Sequence, residues 1–363
     1  MNKFWGSFFR RLFITFLVLF VILFCLYVPK FLFGWLKLSG EDKTINVYAF
    51  VDNFPHELIE RFQKETGISV RIRLFDTNEE LLAKFKISKG EGYDLITPSD
   101  YMVEILRKEK LLHKIDCTRL KNISNLDERF LNKKFDPHNR YSIPFAWTLY
   151  GIIYDTKVFG EEEVGFRQLF ERPADHRYKV GMLDDALDSF FLAAIYLFQK
   201  TDKLTRKEIL KIEELLIKQK EWVECYASST LEYFLLSETI PLAIVPGYMA
   251  VKILKSKKNF KFVLPKEGTL ITIENLAIPT SSKKVDLVYQ FIDFMISKEA
   301  VALNSFNYGF NPLNKKAYSL PGMNFFRQNS LFPSDDIFGK LHIISNSISL
   351  DTINNIWLKV RAF

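Results

Sequence analysis

Carboxylates are the groups in this chain best placed to do chemistry, and several of them fall just after a run that reads as a β-strand. Asp52 follows the run 44–50, Ser99-Asp100-Tyr101 follows 93–97, and Asp184-Asp185 with Asp188 follows 178–183. Glu274 stands apart, inside an otherwise apolar run from Leu270 to Ile278. In an open α/β sheet the ligand sits beyond the carboxyl ends of the strands, so acids and aromatics at those ends converge on one place. Basic residues do not converge there. Such a site suits a cation held by charge-assisted hydrogen bonds, not a phosphate or a carboxylate.

Each acid also has a plainer reading. Asp185 and Asp188 open a helix at i and i+3, where acids commonly cap free N–H groups and face the positive end of the dipole. Glu274 lies near Ile273 and Leu276 in a run that reads as buried, where an unpaired carboxylate is costly. It therefore needs a cationic partner, either a ligand or a lysine of the chain. Tyr101 reads equally well as a core aromatic, and Phe50 reads better as one.

Catalytic and metal signals are poor. His56, His113, His138, His176 and His342 are scattered, with no H-E-x-x-H or C-x-x-C spacing. His113 and Cys117 lie four apart without a third ligand, and no nucleophile has a base beside it. Neither a G-x-G-x-x-G nor a phosphate-binding loop occurs. The chain reads as a binding protein with no catalytic residue, no metal and no cofactor. Cys25, Cys117 and Cys225 make no disulfide framework, and Cys117 and Cys225 are expected as two separate buried thiols rather than a bridge.

The elements that position these residues alternate in type. Thr44 to Phe50, Ile68 to Leu74 and Tyr93 to Thr97 read as strands, and Pro55 to Thr66, Thr77 to Ser88 and Asp100 to Lys110 as helices. Gly67 and Gly90 act as stops, and Thr77 with Glu80 forms a capping-box pair. This βαβαβα order predicts a doubly wound parallel sheet. A second cycle is expected from Gly151, through a strand at 178–183 and helices at 185–199 and 206–222, to strands at 242–245, 260–264 and 270–278 and a helix at 283–297.

The N-terminus sets the compartment. Lys3, Arg10 and Arg11 precede an apolar run from Leu12 to Val28, broken only by Thr15, and a second apolar stretch follows from Phe31 to Trp35. A basic head before such a core is a secretion signal or an uncleaved anchor, and small residues at A-x-A spacing are missing. The expectation is export, with residues 12–36 anchoring the chain to the inner membrane. Five of the 50 basic residues and none of the 43 acids lie in residues 1–40, which leaves +2 of the +7 net charge for the rest. A basic footprint for nucleic acid is thereby excluded.

At the strand-end residues the chain resembles the periplasmic spermidine/putrescine-binding proteins of polyamine ABC importers. The resemblance runs from about residue 44 onwards. It rests on Leu58-Ile-Glu-Arg-Phe-Gln-Lys-Glu-Thr-Gly-Ile-Ser-Val70, Tyr93-Asp-Leu-Ile-Thr-Pro-Ser-Asp-Tyr101, Arg107-Lys-Glu-Lys-Leu-Leu-His-Lys-Ile-Asp116, Asn122-Ile-Ser-Asn-Leu-Asp127, Tyr141-Ser-Ile-Pro-Phe-Ala-Trp147, Leu264-Pro-Lys-Glu-Gly268 and Asn275-Leu-Ala-Ile-Pro279. It implies a periplasmic-binding-protein fold, α/β, with two doubly wound lobes joined by a hinge and preceded by an N-terminal hydrophobic helix. Lobe 1 would comprise 44–148 and 274–318, and lobe 2 would comprise 149–273 and 319–363, with crossings near Thr148 and Glu274.

The same resemblance implies the ligand and its contacts. Asp185, Asp188 and Glu274 occupy the places of the acids that hold the amines, Ser99 and Tyr101 those of a Ser-x-Tyr pair, and Ser228 that of a serine in the second lobe. The aromatic box departs from the pattern, with Phe50 for a tryptophan, Asn53 for a tyrosine, Phe310 for a late tyrosine, and Pro246 and Thr272 for two more tryptophans. Tyr248 is the residue expected to replace some of that surface, and Asp52 completes the expected set. The implied partners are a polyamine-like cation and an inner-membrane ABC permease, for a protein expected to be a monomer in the periplasmic space. The alternatives are a protein of the same fold for iron or an amino-acid derivative, and a membrane-anchored ligand sensor that does not transport.

Overall fold

The structure, a computed structural model, describes residues 43–171 and 178–362, together with Phe13, Leu17 and Phe24. The expected N-terminal anchor otherwise lies outside the described residues. Among the described residues no helix is long and apolar enough to cross a membrane.

One strand organises the architecture. β4, Ser142–Asp155, is 14 residues long and buried along its whole length. At roughly 3.4 Å per residue it extends about 48 Å. Its first part pairs antiparallel with β9, Thr269–Ala277, in a register running from Ser142↔Ala277 to Leu149↔Ile271. Its second part changes partners, pairing antiparallel with β7, Leu242–Pro246, from Tyr150↔Pro246 to Tyr154↔Leu242. β8, Phe260–Val263, lies along the other edge of that part.

Two parallel sets extend from this core. On one side β1, Thr44–Phe50, runs parallel to β3, Leu95–Ile96, with β2, Ser69–Phe75, beyond β1. On the other, β5, Val180–Met182, runs parallel both to β7 and to β6, Val223–Tyr226. The strand order is β2-β1-β3-β9-β4-β7-β5-β6, with the two-residue strands β10, Asn311–Pro312, on β4 and β11, Leu341–His342, on β9. The sheet is thus mixed where the sequence predicts a parallel one, because β4 and β9 run antiparallel to each other while linking the two parallel sets. Gly151 to Tyr154 is accordingly the end of β4 and not the start of a new cycle.

The helices follow local rules closely. α1, His56–Thr66, buries Leu58, Ile59 and Phe62 and ends where Gly67 turns left-handed at φ 70°. α2, Asn78–Ser88, starts at Thr77, whose hydroxyl accepts the Glu80 N–H at 3.1 Å. The reciprocal half of the expected capping box is absent, since the Glu80 carboxylate instead accepts from the Asp76 N–H and the Tyr48 hydroxyl, both at 3.0 Å. Lys89, not Gly90, is the left-handed cap of this helix, at φ 53°. α3, Asp100–Lys108, and α4, Ala186–Phe198, begin directly after strands β3 and β5. α5, Arg206–Gln219, carries a complete capping box between Thr205 and Glu208. α6, Gly247–Ser256, α7, Val285–Met295, α8, Lys298–Tyr308, and α9, Leu350–Ala362, complete the larger helices. Cys117 and Cys225 are unbridged, as expected, but half-buried rather than buried.

Candidate functional site

The parallel strands β1, β3, β5, β6 and β7 turn their carboxyl ends towards one cleft of about 260 Å³, floored by the middle of β4 and β9. Nine of the ten residues expected at the site line it. Phe50 enters from the end of β1, Ser99 and Tyr101 from the β3–α3 turn, and Asp185 and Asp188 from the start of α4. Ser228 follows β6, Tyr248 lies in the first turn of α6, Glu274 is in β9, and Phe310 follows α8. The tenth, Asp52, does not line this cleft. Its backbone is left-handed, φ 65°, and it borders a neighbouring groove lined by Phe54, Ile59 and Tyr308. Asn53 also turns inward, donating its amide to the Thr97 hydroxyl at 2.8 Å.

Local geometry fixes the acids. Asp185 is the N-cap of α4 and its Oδ1 accepts the Asp188 N–H at 2.9 Å, so the capping role and a position at the cleft coexist in one side chain. Asp188 Oδ2 accepts the Tyr150 hydroxyl at 2.7 Å. On the facing side, Tyr101 donates its hydroxyl to Glu79 Oε1 at 3.0 Å, and the Ser99 hydroxyl accepts from the Asn78 amide at 2.8 Å. Glu274 is 9% exposed, and a bridge between Ser99 and Glu274 joins the β3–α3 turn to β9. The rings of Tyr248 and Phe310 sit 5.6 Å apart at the cleft wall.

The electrostatics are one-sided. Asp76, Glu79, Asp184, Asp185, Asp188 and Glu274 line the cleft, and among the described residues no lysine, arginine or histidine does. Among the described residues Asp184 alone of these reaches a basic partner, Arg361 at 3.8 Å. Removal from water, with Asp100 close by, lifts the Glu274 carboxyl to about 8. Burial and then the neighbouring Asp185 carboxylate push Asp188 well above the usual range, against the pull of the Tyr150 hydrogen bond. Asp185, although open to the cleft, is also raised, first by desolvation, with its backbone hydrogen bond opposing and Glu79 adding to the effect. Burial likewise raises the phenols of Tyr101, Tyr150 and Tyr248, so they are neutral donors. Acids held up in this way accept a cation and give up protons as it enters.

Sequence reasoning missed several contributors, Asp76 after β2 among them. Tyr150 and Thr148 point from the centre of β4, and the Thr148 hydroxyl is buried without a hydrogen-bond partner among the described residues. Glu79, read only as a residue within a helix, reaches across to Tyr101.

Residues 57–333 match the model of a family described as bacterial extracellular solute-binding protein. The chain belongs to that family. A spermidine/putrescine-binding periplasmic protein of Escherichia coli strain K12 is 30% identical over 297 residues, which is 81% of this chain and 84% of that protein. Its counterpart in Salmonella typhimurium is 28% identical over 302 residues, 83% of this chain and 86% of that one. A solved structure from Listeria monocytogenes, provisionally named as a spermidine/putrescine ABC transporter, superposes with a TM-score of 0.78 at 27% identity, covering 88% of this chain and 99% of that one. The solute-binding protein described here therefore has the mixed α/β periplasmic-binding-protein fold, and its family works by binding and not by catalysis.

Proposed function

We propose that this solute-binding protein captures a polyamine-like cation for an ABC importer, gripping it between two lobes that meet across β4 and β9. One observation carries the reading: carboxylates from the β5–α4 turn, from β9 and from α2 line a single cleft with no basic side chain of the described chain among them. The relatives named for spermidine and putrescine support the same solute class. Asp185, Asp188 and Glu274 hold the ammonium groups, with Glu79 and Ser228 beside them. Phe50, Tyr101, Tyr248 and Phe310 wall the methylene chain, and Ser99 keeps the Tyr101 turn in place.

In this reading residues 44–148 with 274–318 form one lobe and 149–273 with 319–363 the other, and a ligand touching both favours the closed form that an inner-membrane permease recognises. The protein works as a monomer in the periplasm, tethered by residues 12–36. Titration calorimetry of the purified full-length chain with putrescine, spermidine, cadaverine and agmatine tests it. Charge-assisted hydrogen bonds contribute roughly 1.5–3 kcal/mol each, so Asp185→Asn or Glu274→Gln is expected to weaken binding by about tenfold to over a hundredfold. A folded protein that binds none of the four cations, or variants with unchanged affinity, defeats the proposal.

A further inference from the structure

Asp100 is 1% exposed and lies behind the cleft, not on its surface. Its Oδ1 accepts the Tyr101 N–H at 2.7 Å and its Oδ2 accepts the Ile273 N–H at 3.1 Å. One carboxyl group therefore ties the first turn of α3 to β9, next to two residues that do line the cleft, Tyr101 and Glu274. The two backbone segments are joined directly as well, by the Ser99–Glu274 bridge and by the Asn275 N–H donating to the Pro98 carbonyl at 3.1 Å. Neither Asp100 nor Glu274 has an ion pair with a basic residue among the described residues. Two acids buried on directly joined segments with no basic partner cannot both be ionised cheaply.

We propose that Asp100 is a positioning residue, that it and Glu274 are not both ionised in the empty cleft, and that one proton leaves the pair when a cationic solute enters. The inference rests on the cation-binding reading above. In the step an O–H bond breaks, its electron pair stays on the carboxylate, the proton passes to bulk water, and the ammonium group of the solute takes its place. Burial raises Asp100 to about 7 against the pull of its two backbone hydrogen bonds, and burial together with Asp100 raises Glu274 to about 8. Asp188 of α4 faces Asp100 and Tyr248 of α6 faces Glu274, and the other titratable groups of the same cleft wall are Asp185 before α4, Glu79 of α2, Tyr101 of α3 and Tyr150 of β4. The carboxylates deepen the negative potential that keeps the proton, and the phenols do not titrate in this range.

The test uses putrescine, whose amines stay protonated across the range, titrated into the full-length protein from about pH 6 to about pH 8 in buffers of differing ionisation heat. The expected result is release of roughly one proton per ligand at the pH where the pair is half-titrated, with affinity rising as pH rises. In Asp100→Asn fewer protons leave, and the pH at which affinity levels off moves down, because Glu274 loses the anion beside it. A purely structural role for Asp100 would lower affinity by one factor at every pH and leave the proton count intact, and that outcome overturns the inference. Should the variant not fold, Glu274→Gln is titrated in its place, and a proton count equal to that of the wild type overturns the inference. Putrescine binding without proton release overturns the inference and leaves the cation-binding reading standing, whereas no binding at any pH removes both.

Discussion

Tyr150 donates its hydroxyl to Asp188 from β4, the strand that pairs with both β9 and β7, and the register sets it directly opposite Pro246. Its ring therefore stands beside a position where the resemblance implied a tryptophan, and Thr148 likewise lies opposite Thr272. Tyr150→Phe keeps the flat surface and removes the donor that favours the ionised, oriented Asp188. A hydrogen bond to a charged group is worth about 1.5–3 kcal/mol at most, and a solute ammonium recovers part of it, so calorimetry should read a loss of roughly fivefold to tenfold in affinity. Unchanged affinity would mean that the hydroxyl does not hold Asp188 for the ligand. The acids Asp185, Asp188 and Glu274 were legible in the sequence because a strand end or an isolated charge in an apolar run marks them locally. Tyr150 was not, since every residue of Ser142–Asp155 is buried and the pattern hides which face meets the cleft. Asp52 carried the same strand-end mark as the others, and only its left-handed backbone, which local sequence does not specify, turns it aside.

Elements whose ends are set by a single residue were read almost to the residue. Thr44–Phe50 was placed exactly where β1 lies, and Gly67 closes α1 where its lack of a Cβ makes a left-handed cap cheap. Only Gly151 to Tyr154 of β4 reads as a strand, because pairing with β9 for one half and with β7 and β8 for the other is a tertiary choice made by partners distant in sequence. The turn after α8 tests how such an element supports the cleft. Gly309 caps that helix at φ 79°, and a Cβ there would lie 2.9 Å from Tyr248 Cα and 3.0 Å from the Tyr248 carbonyl oxygen. Gly309→Ala must therefore strain its own backbone and press on the first turn of α6, moving Tyr248 and the adjoining Phe310. The expected cost is roughly 1–2 kcal/mol, a fall of about 2–6 °C in the thermal midpoint, with weakened cation binding alongside. A variant that melts and binds like the wild type would mean that this turn does not set the wall of the cleft.

At the scale of the molecule, an empty cleft full of unneutralised acids is a stability cost that the fold carries until a solute arrives. Glu274 and Asp100 keep their protons to about 8 and about 7 in the folded protein, far above the ordinary carboxyl range they have when unfolded. Below about pH 4 both states hold these protons and no cost exists. As pH rises the unfolded chain releases them first while the folded protein retains them, so folding stability falls between about pH 4 and pH 8 and the full cost is present above that window. The empty protein should accordingly lose thermal midpoint from about pH 5 to about pH 8, by an amount on the order of a few kcal/mol in stability. A cation at about a hundred times its dissociation constant should restore roughly 2.7 kcal/mol. Glu274→Gln removes one of the two penalties and also weakens the binding. Measured by thermal unfolding without ligand, it should flatten the decline and stand above the wild type at pH 8, yet gain less than the wild type from the same concentration of added putrescine. If its midpoint falls with pH as steeply as that of the wild type, Glu274 is not the group that carries the cost. A cleft built in this way gives up resting stability for a larger response to a positively charged solute, because the same carboxylates that weaken the empty fold are the ones its arrival neutralises.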